Sequence, residues 1–179
     1  RGRRDLKSME DIQERAEKDA LTGLFNRGAA RQRINRLLSL PSHDRDTISA
    51  LLKIDLDNFK QINDTLGHLA GDAILIDTAT IIRRFFKGDA LCGRVGGDEF
   101  MVVLPDAPSR EDVEHRVQKF MDHLLAFYQM DTELEELSVS AGIAYGADMP
   151  LPLEELIRQS DAALYQAKQG GRACYRVYS

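Results

Sequence analysis

The sequence contains no tryptophan, only two cysteines, no surplus of basic residues and no long apolar run. Each shortage excludes something. Cys92 and Cys174 cannot build a disulfide framework or a cysteine-rich zinc site, and point to two free thiols in a reducing compartment. A formal net charge of −5 argues against general nucleic-acid binding, which needs a clustered basic surface. A nucleotide substrate needs only a few well-placed cations and stays open. No stretch nears the roughly 18 consecutive apolar residues of a transmembrane helix, so no membrane span is expected within this chain. Nor does Arg1-Gly2-Arg3-Arg4 lead into the apolar stretch of a signal peptide. The missing initiator Met points to a longer protein, with an upstream sensory or receiver domain and room for a membrane anchor beyond these residues. The domain itself is expected in the cytoplasm.

What is present suits one globular domain with a short appendage. The 179 residues are 43% apolar and 30% charged, enough to bury a core. Leu6, Met9, Ile12 and Ala16 recur at spacings of three and four among charges, predicting a helix over 4–18 with a seam too thin for a domain core. Such a seam suits a two-stranded contact, although the segment is short for a coiled coil. A turn at Asp19 to Gly23 follows, then a helix carrying Ala30, Ile34, Leu37 and Leu38, and a loop at Pro41 to Asp44.

The run from Ser49 to Leu56 predicts a buried strand, Phe59 to Leu66 a short helix broken by Gly67, and Gly71 onward a longer helix ending near Gly88. Ala90–Val95 and Phe100–Leu104 read as strands joined through Gly96-Gly97, a pair expected at positive φ in a tight hairpin. Val113 to Tyr128 is strongly amphipathic, Leu137 to Ala144 alternates as a strand, and Leu153 to Ala167 gives a last helix closed by Gly170-Gly171. Tyr175 to Tyr178 is expected as an edge strand. The order predicts a mixed sheet with helices packed on it.

Four acids stand out. Asp55 and Asp57 fall where the first strand ends, and Asp98 and Glu99 follow the glycine pair. Carboxylates from a strand end and a neighbouring hairpin can converge on a divalent cation such as Mg²⁺. Taken singly, each reads equally as a solvated turn acid, and spacing alone does not bring the two pairs together.

Gly96-Gly97-Asp98-Glu99-Phe100, preceded by Arg94-Val95, resembles the signature of the GGDEF family of diguanylate cyclases. Four more segments resemble that family in its order: Asp19 to Arg27, Asp55 to Asp64, Gly67 to Asp72, and Asp161 to Lys168 followed by Gly171-Arg172. The resemblance implies an α/β (α+β) nucleotidyl-cyclase fold with a ferredoxin-like βαββαβ core over 19–179, preceded by a signalling helix over 1–18. It implies condensation of two GTP into cyclic di-GMP and two pyrophosphates, with Mg²⁺ (Mn²⁺ is an alternative), by a homodimer whose protomers each hold one GTP.

The roles carry over by position. The resemblance makes Asp55, Asp98 and the Leu56 carbonyl ligands of the metal, and Glu99 either a further ligand or an aid in deprotonating the 3′-hydroxyl. Asn63 and Asp72 become the guanine readers, since a carboxylate accepts the paired N1–H and N2–H donors that adenine lacks. Phe59 and Lys60 match phosphate contacts, though Phe59 reads equally as core. Lys168 and Arg172 match the cations on the triphosphate, where a helix-dipole role is the plainer alternative. A β-carbon at Gly96 or Gly97 is expected to obstruct the nucleotide and the turn. The four histidines, among them His43 and His68, read as surface or packing residues. Many family members carry an inhibitory product site, Arg-x-x-Asp, ahead of the signature. Here Lys87 and Ala90 stand in place of that Arg and Asp, so product inhibition through this segment is expected to be weak. The alternative is a non-catalytic module that binds GTP or cyclic di-GMP and signals by contact, or a dimerising scaffold with a vestigial site.

Overall fold

A computed structural model of the protein describes residues 2–39, 47–146 and 151–179. The loop expected at Pro41 to Asp44, with His43, lies outside those residues. The elements run α1 (Gly2–Glu17), α2 (Arg27–Ser39), β1 (Ile48–Asp57), α3 (Phe59–Leu66), α4 (His68–Phe85), β2 (Leu91–Arg94), β3 (Glu99–Ala107), α5 (Arg110–Gln129), β4 (Ser138–Tyr145), α6 (Leu153–Gln169) and β5 (Tyr175–Val177), with one 3₁₀ turn at Thr132–Leu134. The longer helix thus starts at His68, three residues before the expected Gly71, because Gly67 at φ +93° is where α3 gives way to α4.

The strands form one sheet in the order β2-β3-β1-β4-β5. Its pairings are antiparallel except for the parallel edge strand β5, so the sheet is mixed. The βαββαβ core is therefore present from β1 to β4, with α1, α2, α6 and β5 added to it. Alternation along the central strand β1 sorts its side chains between two helical layers. Ala50, Leu52, Ile54 and Leu56 pack with Ile82 of α4 and Phe120 and Leu124 of α5. Leu51 faces the other way, into a smaller cluster with Ile34 of α2 and Leu156 and Ile157 of α6.

On that second face β1 continues with Lys53, Asp55 and Asp57 instead of apolar residues. Lys53 and Asp57 are nonetheless buried. Charged groups buried mid-sheet need dedicated partners, and among theirs α6 supplies Asp161 to Lys53 and Lys168 to Asp57. It crosses β4 at Gly142, where a β-carbon would sit 2.1 Å from the Ser160 carbonyl oxygen and 2.3 Å from the Leu164 nitrogen.

α1 buries none of its residues, and Leu6, Met9 and Ile12 are each more than 60% exposed, so the seam is open. Among the described residues both cysteines are free thiols, and no helix is long and apolar enough to cross a membrane.

Candidate active site

The strand pairing brings the two pairs of acids together. Asp55 of β1 lies opposite Glu99 of β3, and the Leu56 N–H donates to the Asp98 carbonyl at 3.2 Å. The turn before β3 is closed by the N–H groups of Val95 and Gly96, both donating to the Glu99 carbonyl. Neither Gly96 nor Gly97 takes the positive φ expected of them. These backbone bonds close the loop without left-handed residues. A β-carbon at Gly97 would meet nothing within 4 Å, so the protein itself does not require glycine there. At Gly96 it would press on the Glu99 side chain at 3.1 Å.

Asp55 is the electrostatically stressed member. Burial, then the negative charge of Asp98, push its pKa up to about 6, against the opposing pull of Lys168. Its Oδ1 is buried without a hydrogen-bond partner, the Lys168 ammonium standing 3.7 Å away. Among the described residues no three acidic, histidine or cysteine side chains are already drawn together as a metal cage. The fit to a hard cation lies in the donor set: a partnerless carboxylate oxygen, adjoining carboxylates and the Leu56 carbonyl.

Two neighbours of this cluster escaped the sequence reading. Lys53 is buried against Glu99 and lies 3.3 Å from Asp161 of α6. Its signal was a lone lysine inside Ala50-Leu51-Leu52-Lys53-Ile54. Arg94, quoted only as flanking the signature, donates to the Gly97 carbonyl at 2.8 Å and pairs with Asp19 at 3.2 Å. Asp19 in turn accepts the Thr22 N–H and hydroxyl. The end of α1 is tied to the same corner, because Asn26 donates to the Ala16 carbonyl and Arg33 pairs with Glu17.

Asp57 proves different from Asp55, two residues away on the same face. It is fully buried and accepts from Ser138 Oγ at 2.6 Å, Ser140 Oγ at 2.8 Å, Lys168 Nζ at 2.8 Å and the Ala173 N–H at 3.1 Å. Burial alone would raise its pKa; the bonds from Lys168, Ser138, Ser140 and Ala173 outweigh it and hold the carboxyl below its usual range. With its oxygens so occupied, Asp57 is not available to a cation. Lys168 also reaches the Leu56 carbonyl at 3.4 Å. Arg172 is exposed and left-handed at φ +64°, as is Ala173 at φ +49°. Such a conformation costs a non-glycine residue about 1–2 kcal/mol.

The expected guanine readers flank the α3–α4 junction. Asn63 of α3 is half-buried, with its amide 3.2 Å from His68 Nδ1, so His68 touches a candidate reader. Asp72 is exposed just past the first turn of α4, beside Gly71, where a β-carbon would fall 2.0 Å from Asn63 Oδ1. Phe59 packs partly against the main core and Lys60 is exposed. After α4, Lys87 is exposed and Ala90 half-buried, with Gly88 between them at φ +85°.

A family model described as "Diguanylate cyclase, GGDEF domain" matches residues 16–174. Among curated proteins the chain is 33% identical over 160 residues to "Diguanylate cyclase DgcS" of Shewanella oneidensis, covering 89% of this chain and 52% of that protein. It is 31% identical to "Cyclic di-GMP phosphodiesterase PdeR" of Escherichia coli, covering 98% of this chain and 26% of that one. It thus spans about half the length of one relative and a quarter of the other. Among solved structures, the coiled coil and GGDEF domain of DgcB from Caulobacter crescentus, in complex with cyclic di-GMP, superposes with a TM-score of 0.87 at 27% identity. That match covers 98% of this chain and 92% of the other.

Proposed function

The chain belongs to the GGDEF family of diguanylate cyclase domains, and on that premise we propose that it condenses two GTP molecules into cyclic di-GMP. The 3′-oxygen of one GTP forms a bond to the α-phosphorus of the other, the α–β anhydride breaks, and pyrophosphate leaves. A second, reciprocal attack closes the ring and releases the second pyrophosphate. Asp98 and Glu99 are the catalytic acids, Glu99 serving as a ligand or as acceptor of the 3′-hydroxyl proton. Asp55, the Leu56 carbonyl, Asp98 and Glu99 would hold Mg²⁺ or Mn²⁺, which when bound offsets phosphate charge and acidifies the attacking hydroxyl. Asn63 and Asp72 read the guanine, Phe59 and Lys60 contact the phosphates, and Gly96 and Gly97 leave room for the nucleotide. Lys168 and Arg172 counter the triphosphate.

One chain supplies one GTP half-site, so the active species is a homodimer with antiparallel nucleotides, its halves gathered through Leu6, Met9 and Ile12 of α1. With Lys87 and Ala90 where the inhibitory Arg and Asp would stand, product inhibition through that segment is weak. The observation that carries the reading is the register of β1 against β3, which sets the partnerless Asp55 oxygen beside Asp98 and Glu99.

A second reading is a non-catalytic module that binds GTP or cyclic di-GMP and signals by contact. It draws support from the match to a protein named as a phosphodiesterase. Incubation with GTP and Mg²⁺, followed by chromatography, separates the two. Cyclic di-GMP that disappears with Asp98→Ala or Glu99→Ala supports catalysis. Tight nucleotide binding without product supports the module, and neither binding nor product leaves a scaffold.

A further inference from the structure

We infer that Asp57 is the positioning residue for the triphosphate end of the nucleotide site, acting through Lys168 and the turn that carries Arg172. This rests on the reading above that Lys168 and Arg172 meet the triphosphate. An ionised carboxylate has about four lone-pair directions. Here they are taken by donors from three separate parts of the chain: Ser138 and Ser140 of β4, Lys168 of α6, and the backbone of Ala173. The two serines fix the carboxylate to the sheet. The other two contacts hold the phosphate-facing elements to that fixed point.

The turn after α6 needs such a hold. Gly171, Arg172 and Ala173 all lie at positive φ, and two of them are not glycine. Left-handed conformations at side-chain-bearing residues persist only where surroundings enforce them. The Arg172 N–H is held by the Ala167 carbonyl at 3.1 Å and the Ala173 N–H by Asp57 at 3.1 Å. Beyond them the Cys174 carbonyl accepts from Ala141 of β4, which starts the parallel pairing of β5. Asp57 is the side chain among these contacts, and it grips Lys168 as well. One buried acid therefore sets both cations, four residues apart, relative to the Asp55–Asp98 corner.

The test is Asp57→Asn, with affinities measured by calorimetry for guanosine and for the α,β-methylene analogue of GTP, magnesium present. Asparagine keeps the shape but loses the charge that holds Lys168. Guanosine affinity is expected to stay within about twofold. The preference for the triphosphate analogue is expected to fall about tenfold or more, as befits the loss of a charge-assisted anchor. Equal losses for both ligands, or an unchanged preference, would overturn the role. Should Asp57→Asn fail to fold, the Ser138→Ala/Ser140→Ala double variant decides. It frees the carboxylate from the sheet and is expected to lower the same preference about threefold or more, and no change there also overturns the inference. Wild-type protein without any triphosphate preference would sink the functional reading and this inference together. A normal wild type with an indifferent Asp57→Asn sinks the inference alone.

Discussion

Replacing Gly71 with alanine should separate base recognition from stability. Gly71 lies in the first turn of α4, outside the positive-φ region, so alanine fits the backbone. Alanine is favoured over glycine within a helix by up to about 1 kcal/mol. The new β-carbon, however, falls 2.0 Å from Asn63 Oδ1, 3.0 Å from Asn63 Cγ and 3.3 Å from Phe59 Cζ. The amide is the free end of a half-buried side chain, so it swings away while the helices stay. That forfeits the contact with His68, an exposed hydrogen bond that contributes about 1 kcal/mol or less. Gain and loss nearly cancel, and Tm should stay within about 2–4 °C of wild type. With Asn63 in its proposed role as a guanine reader, the base instead loses a hydrogen-bonding partner, at a cost of about 1–3 kcal/mol. The KM for GTP should then rise about 5- to 150-fold. Thermal melts and cyclic di-GMP formation across a GTP titration measure both. The reasoning fails if Tm drops by about 10 °C or more, or if KM stays within about twofold at an unchanged Tm.

Asp55→Asn should stabilise the metal-free protein while abolishing cyclisation. The fold raises the Asp55 pKa from 3.8 to about 6, so between those values the folded state holds a proton that the unfolded chain has released. Stability falls as pH rises through that window, and the cost, at most about 3 kcal/mol, is complete above it. Asparagine escapes this cost, and a Tm lower than wild type at neutral pH in chelator would contradict it. Gly142→Ala drives a β-carbon to within 2.1 Å of Ser160 O and 2.3 Å of Leu164 N, both backbone atoms, so α6 must lift from β4. Overpacking of that kind costs about 1–3 kcal/mol, a fall of roughly 3–10 °C in Tm, and KM for GTP should rise because Lys168 rides on α6. An unchanged melting curve would refute the close crossing. Deleting residues 1–18 should make cyclisation per mole fall steeply on dilution, with sedimentation showing weaker dimers; undiminished turnover at low protein concentration would remove α1 from dimer formation.

Much of this was legible along the chain because its causes are local. Apolar spacing of three and four marked α1, α2, α5 and α6, and alternation marked β4. The glycine pair marked the hairpin turn but misled about its backbone, because closure by the Val95 and Gly96 N–H groups is a property of the folded loop. The motif residues were recognisable as residues, while their meeting was not. Asp55 and Glu99 are neighbours only through the register of β1 with β3. Arg94 shows the same limit, since its partner Asp19 lies far back in the chain.

The four acids opened the question, and their fates divide the credit. By itself the sequence determined which elements form, in what order, and which family's motifs they carry, since periodicity and motif spacing are written along the chain. The resemblance singled out Asp55 as a ligand, but strand position and spacing left Asp55 and Asp57 alike, two carboxylates on one face of one strand. Only the tertiary structure gave the physical difference between them. The close crossing of α6 over Gly142, two serines on β4 and a left-handed turn after α6 enclose Asp57 in donors, while Asp55 stays short of one beside Asp98. Burial and hydrogen-bond partners come from packing between distant segments, and those set what a carboxylate can do.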